Sequence, residues 1–347
     1  MRVGVGLGLP HVVMGALCLA LTACGAPEPA VGEGASTPVP SSATAGDDGA
    51  IGNDAAIKVV LLGTGSPVPS AERFGNSTLV QANGLNLVFD AGRGAAIRLN
   101  QLDVPLGEVD GVFLTHFHSD HVNGLADLWM TGYITALGGR KGSFHLYGPP
   151  GVKQISDGLL LTHRNDIDVR VADENMPRDT AAITPHEFDR EGVIFDEQGV
   201  RVTMFEVEHD AAGAIDPAVG YRIDVGDSSV LISGDTRPTP KVLQYGENVD
   251  LLIHEVADFV DPSVPVLQNV YSHHTNPQQA GEIFARTKPA MAAYSHIVNG
   301  APPRIPDLPL DVMVDRTRET YDGPLTVGED LMAFSISDRD VRVEAYE

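Results

Sequence analysis

The chain has 347 residues, 43% of them hydrophobic, and a formal net charge of −24. This length supports one large hydrophobic core or at most two domains. A surface this acidic repels polyanions and argues against a broad nucleic-acid-binding face, whereas a small anionic substrate remains compatible with it if bound cations dominate the local field.

The N-terminus predicts export with a lipid anchor. Arg2 precedes a mostly apolar stretch over residues 7–21, which is short for a membrane-spanning helix of about 20 residues. Leu21-Thr22-Ala23-Cys24 then resembles a bacterial lipobox. We therefore predict a signal peptide over residues 1–23 and lipidation of Cys24, which would anchor the exported protein to the bacterial cell envelope. An uncleaved anchor helix and an ordinary signal peptide are the alternatives.

The segment after Cys24 predicts a disordered tether. Residues 24–55 are rich in Gly, Ala, Pro, Ser and Thr, and such a composition buries too little apolar area to fold. If the signal peptide is removed, Cys18 is lost with it and Cys24 carries the lipid. Any metal site must then use His, Asp and Glu.

The remaining residues, 56–347, are predicted to form one α/β domain. Short runs rich in Val, Ile, Leu and Phe predict strands over residues 57–62, 77–82, 86–90, 111–115, 143–147, 200–208, 218–225, 229–233, 251–254 and 290–294. Helices are predicted over residues 94–102, 122–137 and 277–287, the last with Asn276 as N-cap and Pro277 at the first helical position. This order suggests sheet layers covered by helices. The stretch 148–199 is predicted to hold substrate-facing loops or a lid.

A dense group of metal-binding residue types follows the fourth predicted strand. It reads Thr115-His116-Phe117-His118-Ser119-Asp120-His121. Histidines two apart in a loop can converge on one cation, and the following Asp-His pair can turn onto a helix and reach a second one. Imidazole and carboxylate suit zinc, iron or manganese. A solvated polar loop is the alternative interpretation.

Three later residues stand just after buried-looking strands. They are His209, Asp235 and His296. Each one alone is equally compatible with a capping or turn residue. Together with the histidine-rich motif they supply enough ligands for two cations.

The order HxHxDH, His, Asp, His resembles the metallo-β-lactamase superfamily over nearly all of residues 57–347. The resemblance implies an αββα sandwich of two mixed sheets flanked by helices, with two divalent metal ions, zinc being expected. It implies that Asp90, in Phe89-Asp90-Ala91-Gly92, supports the metal-binding loop, and that Asp120 also orients the nucleophile. The implied ligands are His116, His118 and His209 for the first metal, Asp120, His121 and His296 for the second, and Asp235 as the bridge.

Further motifs point to two branches of this superfamily. Leu252-Ile253-His254-Glu255 and His274-Thr275 resemble ribonuclease Z, which implies that His274 donates a proton to the leaving oxygen and that Glu255 orients it. His254 is equally compatible with a core position. Ser233-Gly234-Asp235-Thr236-Arg237 and Asp127-Leu128-Trp129 are among the stretches that resemble arylsulfatases of this fold.

Three functional hypotheses follow. The leading one is an exported dinuclear hydrolase of sulfate or phosphate esters, arylsulfatase-like, with metal-activated hydroxide as the nucleophile. The alternatives are a ribonuclease Z-like phosphodiesterase acting on cyclic nucleotides or RNA, and a non-catalytic metal-binding lipoprotein. Expected partners are a small anionic ester and the membrane; no protein partner is predicted, and a homodimer stays open. Candidate anion contacts are Arg73, Arg93 and Arg237, with surface or ion-pair roles as the alternative.

Overall fold

The computed structural model describes residues 55–210 and 212–344. The predicted signal peptide, the lipidated Cys24 and all of the tether before residue 55 lie outside the described residues, so these features stay predictions. Among the helices of the described ranges, none is both long enough and apolar enough to span a bilayer.

The described residues form strands and helices in alternation. The strands are β1 Ile57–Gly63, β2 Ser77–Ala82, β3 Leu85–Phe89, β4 Gly111–Phe113, β5 Phe144–Gly148, β6 Ile183–Glu187, β7 Gly192–Glu197, β8 Val200–Glu206, β9 Val219–Val225, β10 Ser228–Ile232, β11 Leu251–Ala257, β12 Met291–Val298, β13 Leu325–Val327, β14 Ala333–Ser337 and β15 Asp340–Glu344. The α-helices are α1 Ala95–Gln101, α2 Ser119–Val122, α3 Leu125–Thr131, α4 Val152–Thr162, α5 Arg164–Asp173, α6 Pro240–Tyr245, α7 Pro265–His273, α8 Pro277–Thr287 and α9 Leu310–Arg318.

The strands make two mixed sheets. The first has the order β15-β14-β1-β2-β3-β4-β5-β6, and the second has the order β13-β12-β11-β10-β9-β8-β7. In the first sheet β3 to β6 are parallel, and in the second sheet β10 to β13 are parallel. Parallel strands end at the same edge of a sheet, and polar residues that follow them are therefore gathered there.

Burial shows how the layers pack. One apolar cluster joins side chains of both sheets, including Val80 and Phe113 from the first and Tyr221 and Ile253 from the second. A second cluster covers the outer face of the first sheet with α1, α3, α4 and α5. A third covers the outer face of the second sheet with α6, α8 and α9. The order of layers is helix, sheet, sheet, helix, which confirms the predicted αββα sandwich of mixed sheets.

The predicted helix over residues 122–137 is wrong as a single element. The chain forms α2, then α3, then a short 3-10 turn over residues 135–137. The break falls at Gly124, where an added Cβ would lie 2.1 Å from the Gly92 carbonyl oxygen. Close backbone contact at this point, which only glycine permits, separates the two helices. The helix predicted over residues 277–287 is confirmed, with a capping box between Asn276 and Gln279.

The stretch 148–199 is not the predicted set of loops or a lid. It contains α4 and α5, which pack on the outer face of the first sheet, and the edge strands β6 and β7. The sequence does not predict these two strands because neither alternates buried and exposed residues: β6 has a single buried residue, and β7 has two that are adjacent.

Candidate metal centre

The metal-binding residue types predicted from the sequence meet at one edge of the two sheets. His116 follows β4, and His118 is the N-cap of α2, which carries Asp120 and His121. His209 and Asp235 follow β8 and β10. All seven predicted ligands fall into compact groups whose ligand atoms lie within 4.8 Å of one another: His116, His118, His209 and Asp235, then Asp120, His121 and His296.

Asp235 lies between the two groups. Its Oδ2 is 3.2 Å from His296 Nε2, 3.3 Å from His121 Nε2, 3.6 Å from His209 Nε2 and 3.8 Å from His116 Nε2. One carboxylate oxygen thus faces nitrogens of both groups. This is the position that a ligand shared by two cations requires.

Several imidazole rings are held through the nitrogen that faces away from the site. Asp90 Oδ2 lies 2.7 Å from His121 Nδ1, and the His273 carbonyl oxygen lies 3.1 Å from His209 Nδ1. His116 Nδ1 is 3.1 Å from Thr115 Oγ1. A hydrogen bond at Nδ1 fixes the ring and leaves the Nε2 lone pair for a cation.

Burial favours the neutral form of two of these rings, His116 and His209. It lowers the pKa of His116 well below its ordinary value, and it lowers the pKa of His209 to about 4. Both imidazoles are therefore neutral near pH 7. Burial opposes the charged form of Asp235, but His296 and His121 outweigh it and hold the pKa of that carboxyl well below its usual range.

The donor set fits a divalent metal. His116 Nε2, His121 Nε2 and Asp235 Oδ1 are buried without a hydrogen-bond partner in the described chain. His118 Nδ1 and His209 Nε2 approach to 3.1 Å. Buried polar atoms are rarely left without partners, and converging lone pairs repel one another unless a cation or proton lies between them.

His296 occupies an unusual backbone position. Between Glu255 and Val256 the pairing of β11 with β12 skips one residue of β12, so that Glu255 faces Ser295 and Val256 faces Ile297. The bulged residue is His296, whose φ of 42° lies in the left-handed region. Such bulges re-aim a side chain. The strand predicted to end at residue 294 therefore continues beyond His296.

Asp90 joins the metal-binding loop to the sheet. Its Oδ1 accepts hydrogen bonds from the Thr115 amide at 2.8 Å and the Thr115 hydroxyl at 3.1 Å. Its Oδ2 accepts from Asn76 Nδ2 at 3.1 Å and lies close to His121. Asn76 was not predicted, because nothing in the local sequence distinguishes it from a turn asparagine.

We expect Asp90→Asn to weaken metal binding by about 10–100-fold, because the single oxygen of an amide cannot accept both from the Thr115 backbone amide, at Oδ1, and from His121, at Oδ2. Competition with a chromogenic chelator measures the affinity. Asp110→Asn is the matched control, since Asp110 also accepts a backbone hydrogen bond, from Asn86, but at the opposite end of β4. Equal affinities in the two variants would contradict the role assigned to Asp90.

A buried ion pair stands beside the metal-binding residues. His274 Nδ1 lies 3.2 Å from Glu255 Oε2, and the same histidine forms a third close group with Asp235 and His296. Burial opposes the charged form of His274, but Glu255 outweighs it and raises the pKa of His274 to about 9. The backbone amide of Thr275 donates to Glu255 Oε1 at 2.8 Å, which fixes the carboxylate.

Other singled-out residues lie elsewhere. His254 is fully buried against Phe284, with Nδ1 bound to the Glu255 carbonyl oxygen at 2.7 Å, so it is the core residue of the two alternatives. Arg73 donates to Thr64 Oγ1 and to the Gly328 carbonyl oxygen, both at 2.6 Å, which is a structural role. Trp129 is buried in the core behind the first sheet.

Comparisons with known proteins agree on the family. The profile of the family described as "Anti-Pycsar protein Apyc1" matches residues 57–264. A ribonuclease Z of Mycobacterium sp. (strain KMS) is 31% identical over 279 residues, covering 79% of this chain and 94% of that protein.

Solved structures show the same fold. The metallo-β-lactamase fold protein YhfI from Bacillus subtilis aligns with a TM-score of 0.61 at 18% identity, covering 80% of this chain and 98% of that one. The short form of human tRNase Z aligns with a TM-score of 0.60 at 20% identity, covering 81% and 99%.

Proposed function

The chain belongs to the metallo-β-lactamase-fold hydrolases, among the relatives of ribonuclease Z and Apyc1, and on this premise we propose that it is a metal-dependent phosphodiesterase of small nucleotides, cyclic nucleotides first. The phosphodiesterase alternative is thus better supported than the arylsulfatase hypothesis that led from the sequence alone. The family match favours the cyclic-nucleotide form of the proposal.

The observation that carries the proposal is the His274–Glu255 pair beside the metal-binding residues. A hydrolase that cleaves a phosphodiester must supply a proton to an alkoxide leaving group of high pKa. A buried imidazole next to a carboxylate is kept protonated, which suits it to that task. At 3.2 Å from Glu255, His274 is held in one orientation while its other nitrogen remains available.

The remaining side chains of the site would bind the metal ions and orient the attacking water. The five histidines with Asp120 and Asp235 would hold two divalent cations, and zinc is preferred because imidazole and carboxylate are its usual ligands. When bound, such cations polarise phosphoryl oxygens and lower the pKa of water. Asp120, whose Oδ2 lies 3.0 Å from His296 Nε2 and 3.6 Å from His121 Nε2, is placed to orient the attacking water.

A small substrate is favoured over RNA by electrostatics. The net charge of −24 opposes the approach of a long polyanion, because binding along a phosphate backbone depends on many cationic contacts. A cyclic mononucleotide carries one phosphodiester charge, which the site itself can neutralise.

The test compares three esters of p-nitrophenol with the same protein: a nucleoside phosphodiester, a phosphomonoester and a sulfate. We expect kcat/KM for the phosphodiester to exceed the other two by about a hundredfold or more, roughly 3 kcal/mol of transition-state discrimination. A chelator should abolish turnover and zinc should restore it. A preference for the sulfate would return the protein to the arylsulfatase hypothesis, and metal binding without turnover of any ester would favour the non-catalytic one.

A further inference from the structure

We propose that the cavity beside His274 binds a second phosphate on the leaving side of the substrate, with Arg237 as its main contact. This inference rests on the proposed function, because it extends the same site. Among the small nucleotides of that proposal, it would make a dinucleotide with a second phosphate beyond the scissile phosphodiester a better substrate than a cyclic mononucleotide, which has none.

The cavity opens next to the proposed proton donor. Its volume is about 390 Å³, which is enough for a phosphorylated sugar or a base. The residues that line it are Arg237, Pro238, Tyr271, Ser272, His274 and Gln279. Since His274 protonates the leaving oxygen, the group attached to that oxygen lies on the His274 side of the centre.

The charge of this cavity differs from that of the protein around it. The chain has 47 acidic and 23 basic residues, yet the lining of this cavity has an arginine and a histidine and no carboxylate. Each of three larger cavities in the described ranges contains at least one acidic side chain, for example Glu108 in one, Glu72 in another and Asp157 in the third. The lining of the cavity beside His274 therefore favours an anion, although the protein as a whole is strongly acidic.

The backbone of Arg237 is fixed by hydrogen bonds, whereas its guanidinium is accessible. Its amide donates to the Glu208 carbonyl oxygen at 2.8 Å, and its carbonyl oxygen accepts from Thr236 Oγ1 at 2.7 Å. Arg237 lies two positions after Asp235, and both follow the end of β10. The same loop therefore positions Arg237 and the metal-binding Asp235. Among the residues that the structure describes, the guanidinium has one charged partner, Glu208, at 3.8 Å, and the Arg237 side chain is 41% exposed.

The pairing with Glu208 does not neutralise Arg237. Both side chains are more than a third exposed, and at 3.8 Å the pair lacks the geometry of a bidentate contact. Ion pairs of this kind contribute little because water and salt screen them. A phosphate in the cavity would compete for the guanidinium with a stronger, two-pronged interaction.

Two neighbours of Arg237 complement a phosphorylated nucleoside. Gln279 is in the first turn of α8; its Oε1 accepts from the Asn276 amide, and its Nε2 has no acceptor among the described residues, so Nε2 is free to donate to a phosphate oxygen. Tyr271 has its hydroxyl bound to Asp258 at 2.6 Å, which leaves the ring as an apolar wall.

The experiment compares two dinucleotides with the full-length protein. One is a dinucleoside monophosphate, and the other is the same molecule with an added phosphate on a terminal nucleoside. The added phosphate is tested at each of the two ends in turn. The products then identify which nucleoside is released. For wild type, we expect a lower KM when the released nucleoside carries the phosphate. In Arg237→Ala, that KM should rise about 10–100-fold, while the KM for the unphosphorylated substrate stays within about twofold.

Three control variants separate this role from general effects. Arg201→Ala removes another exposed arginine, which lies near the start of β8 and pairs with Asp196 of β7 at 3.1 Å. This variant should change the KM of neither dinucleotide. Arg237→Lys should fall between wild type and Arg237→Ala, because it keeps the charge without the fork. Glu208→Gln should lower the KM for the phosphorylated substrate, since it removes the competing carboxylate.

The outcomes distinguish the two proposals. If wild type cleaves both dinucleotides with equal KM, or if Arg237→Ala affects both equally, the phosphate subsite is wrong and the phosphodiesterase stands. If wild type cleaves no phosphodiester at all, the proposed function falls and the subsite with it. Equal melting temperatures of wild type and Arg237→Ala establish that a change in KM does not come from misfolding.

Discussion

Asp235→Asn is expected to reduce kcat/KM by about a thousandfold or more and to leave the protein with less bound metal. Asp235 is the carboxylate that faces nitrogens of both groups, at 3.6 Å from His209 in the first group and 3.2 Å from His296 in the second. An amide of the same shape has no negative charge to offer two cations, and metal-assisted hydrolysis supplies several kcal/mol of transition-state stabilisation. Metal content by atomic spectroscopy and kcat/KM on the nucleoside phosphodiester give the two readouts.

The control for this variant is Asp196→Asn. Asp196 is an exposed carboxylate paired with Arg201, and its replacement removes the same charge without touching the centre. Wild-type activity and metal content are expected for it. Full turnover in Asp235→Asn would show that the two groups of ligands do not act as one centre.

The second large effect is expected at His274, the proposed proton donor. His274→Ala should lower kcat on a substrate with an alkoxide leaving group by about 10²–10⁴-fold, the usual range for loss of a general acid. The loss should be smaller on a p-nitrophenyl ester, because nitrophenolate leaves without protonation. Equal losses on both substrates would point to a structural role for His274 instead.

Glu255→Gln tests the pair through its pH dependence. Glu255 raises the pKa of His274 to about 9, so His274 is protonated below that pH and activity falls as pH rises through it. With glutamine the raising charge is gone, and the alkaline limb of kcat should move to lower pH. The glutamine carbonyl can still accept from the Thr275 amide, so the loop position is retained. Glu206→Gln, on an exposed position of β8, should leave the profile unchanged.

The sequence predicts the local parts of this structure best. The strand over residues 77–82 and the helix over 277–287 have the predicted bounds, because apolar periodicity and the Asn276 cap are encoded within a few residues. By contrast, α4 and α5 were missed. Their exposed faces, with Leu161 68% and Val169 60% exposed, blur the distinction between apolar and polar sides on which prediction depends.

In the candidate site too, local features could be predicted from the sequence and contacts between distant residues could not. The residues of the HxHxDH motif are contiguous, and their type alone suggests a cation. The supports come from far along the chain: Asn76 reaches Asp90, and the His273 carbonyl oxygen holds His209. The bulge at His296 depends on how β12 pairs with β11, and no local sequence pattern indicates such a shift in register. Arg237 was one of three candidate arginines, and only the folded cavity distinguishes it from Arg73.

The position of β1 has a consequence for how the protein is made. β1, the first described strand, lies between β2 and β14 in its sheet, and Val59 pairs with Phe334 near the other end of the chain. During synthesis one edge of β1 therefore stays unpaired until β14 has been added. The unpaired backbone groups of such a strand edge can pair with a strand of another chain, which leads to aggregation. A nascent chain that is held unfolded until β14 emerges avoids that hazard, and a chain truncated before β14 would not.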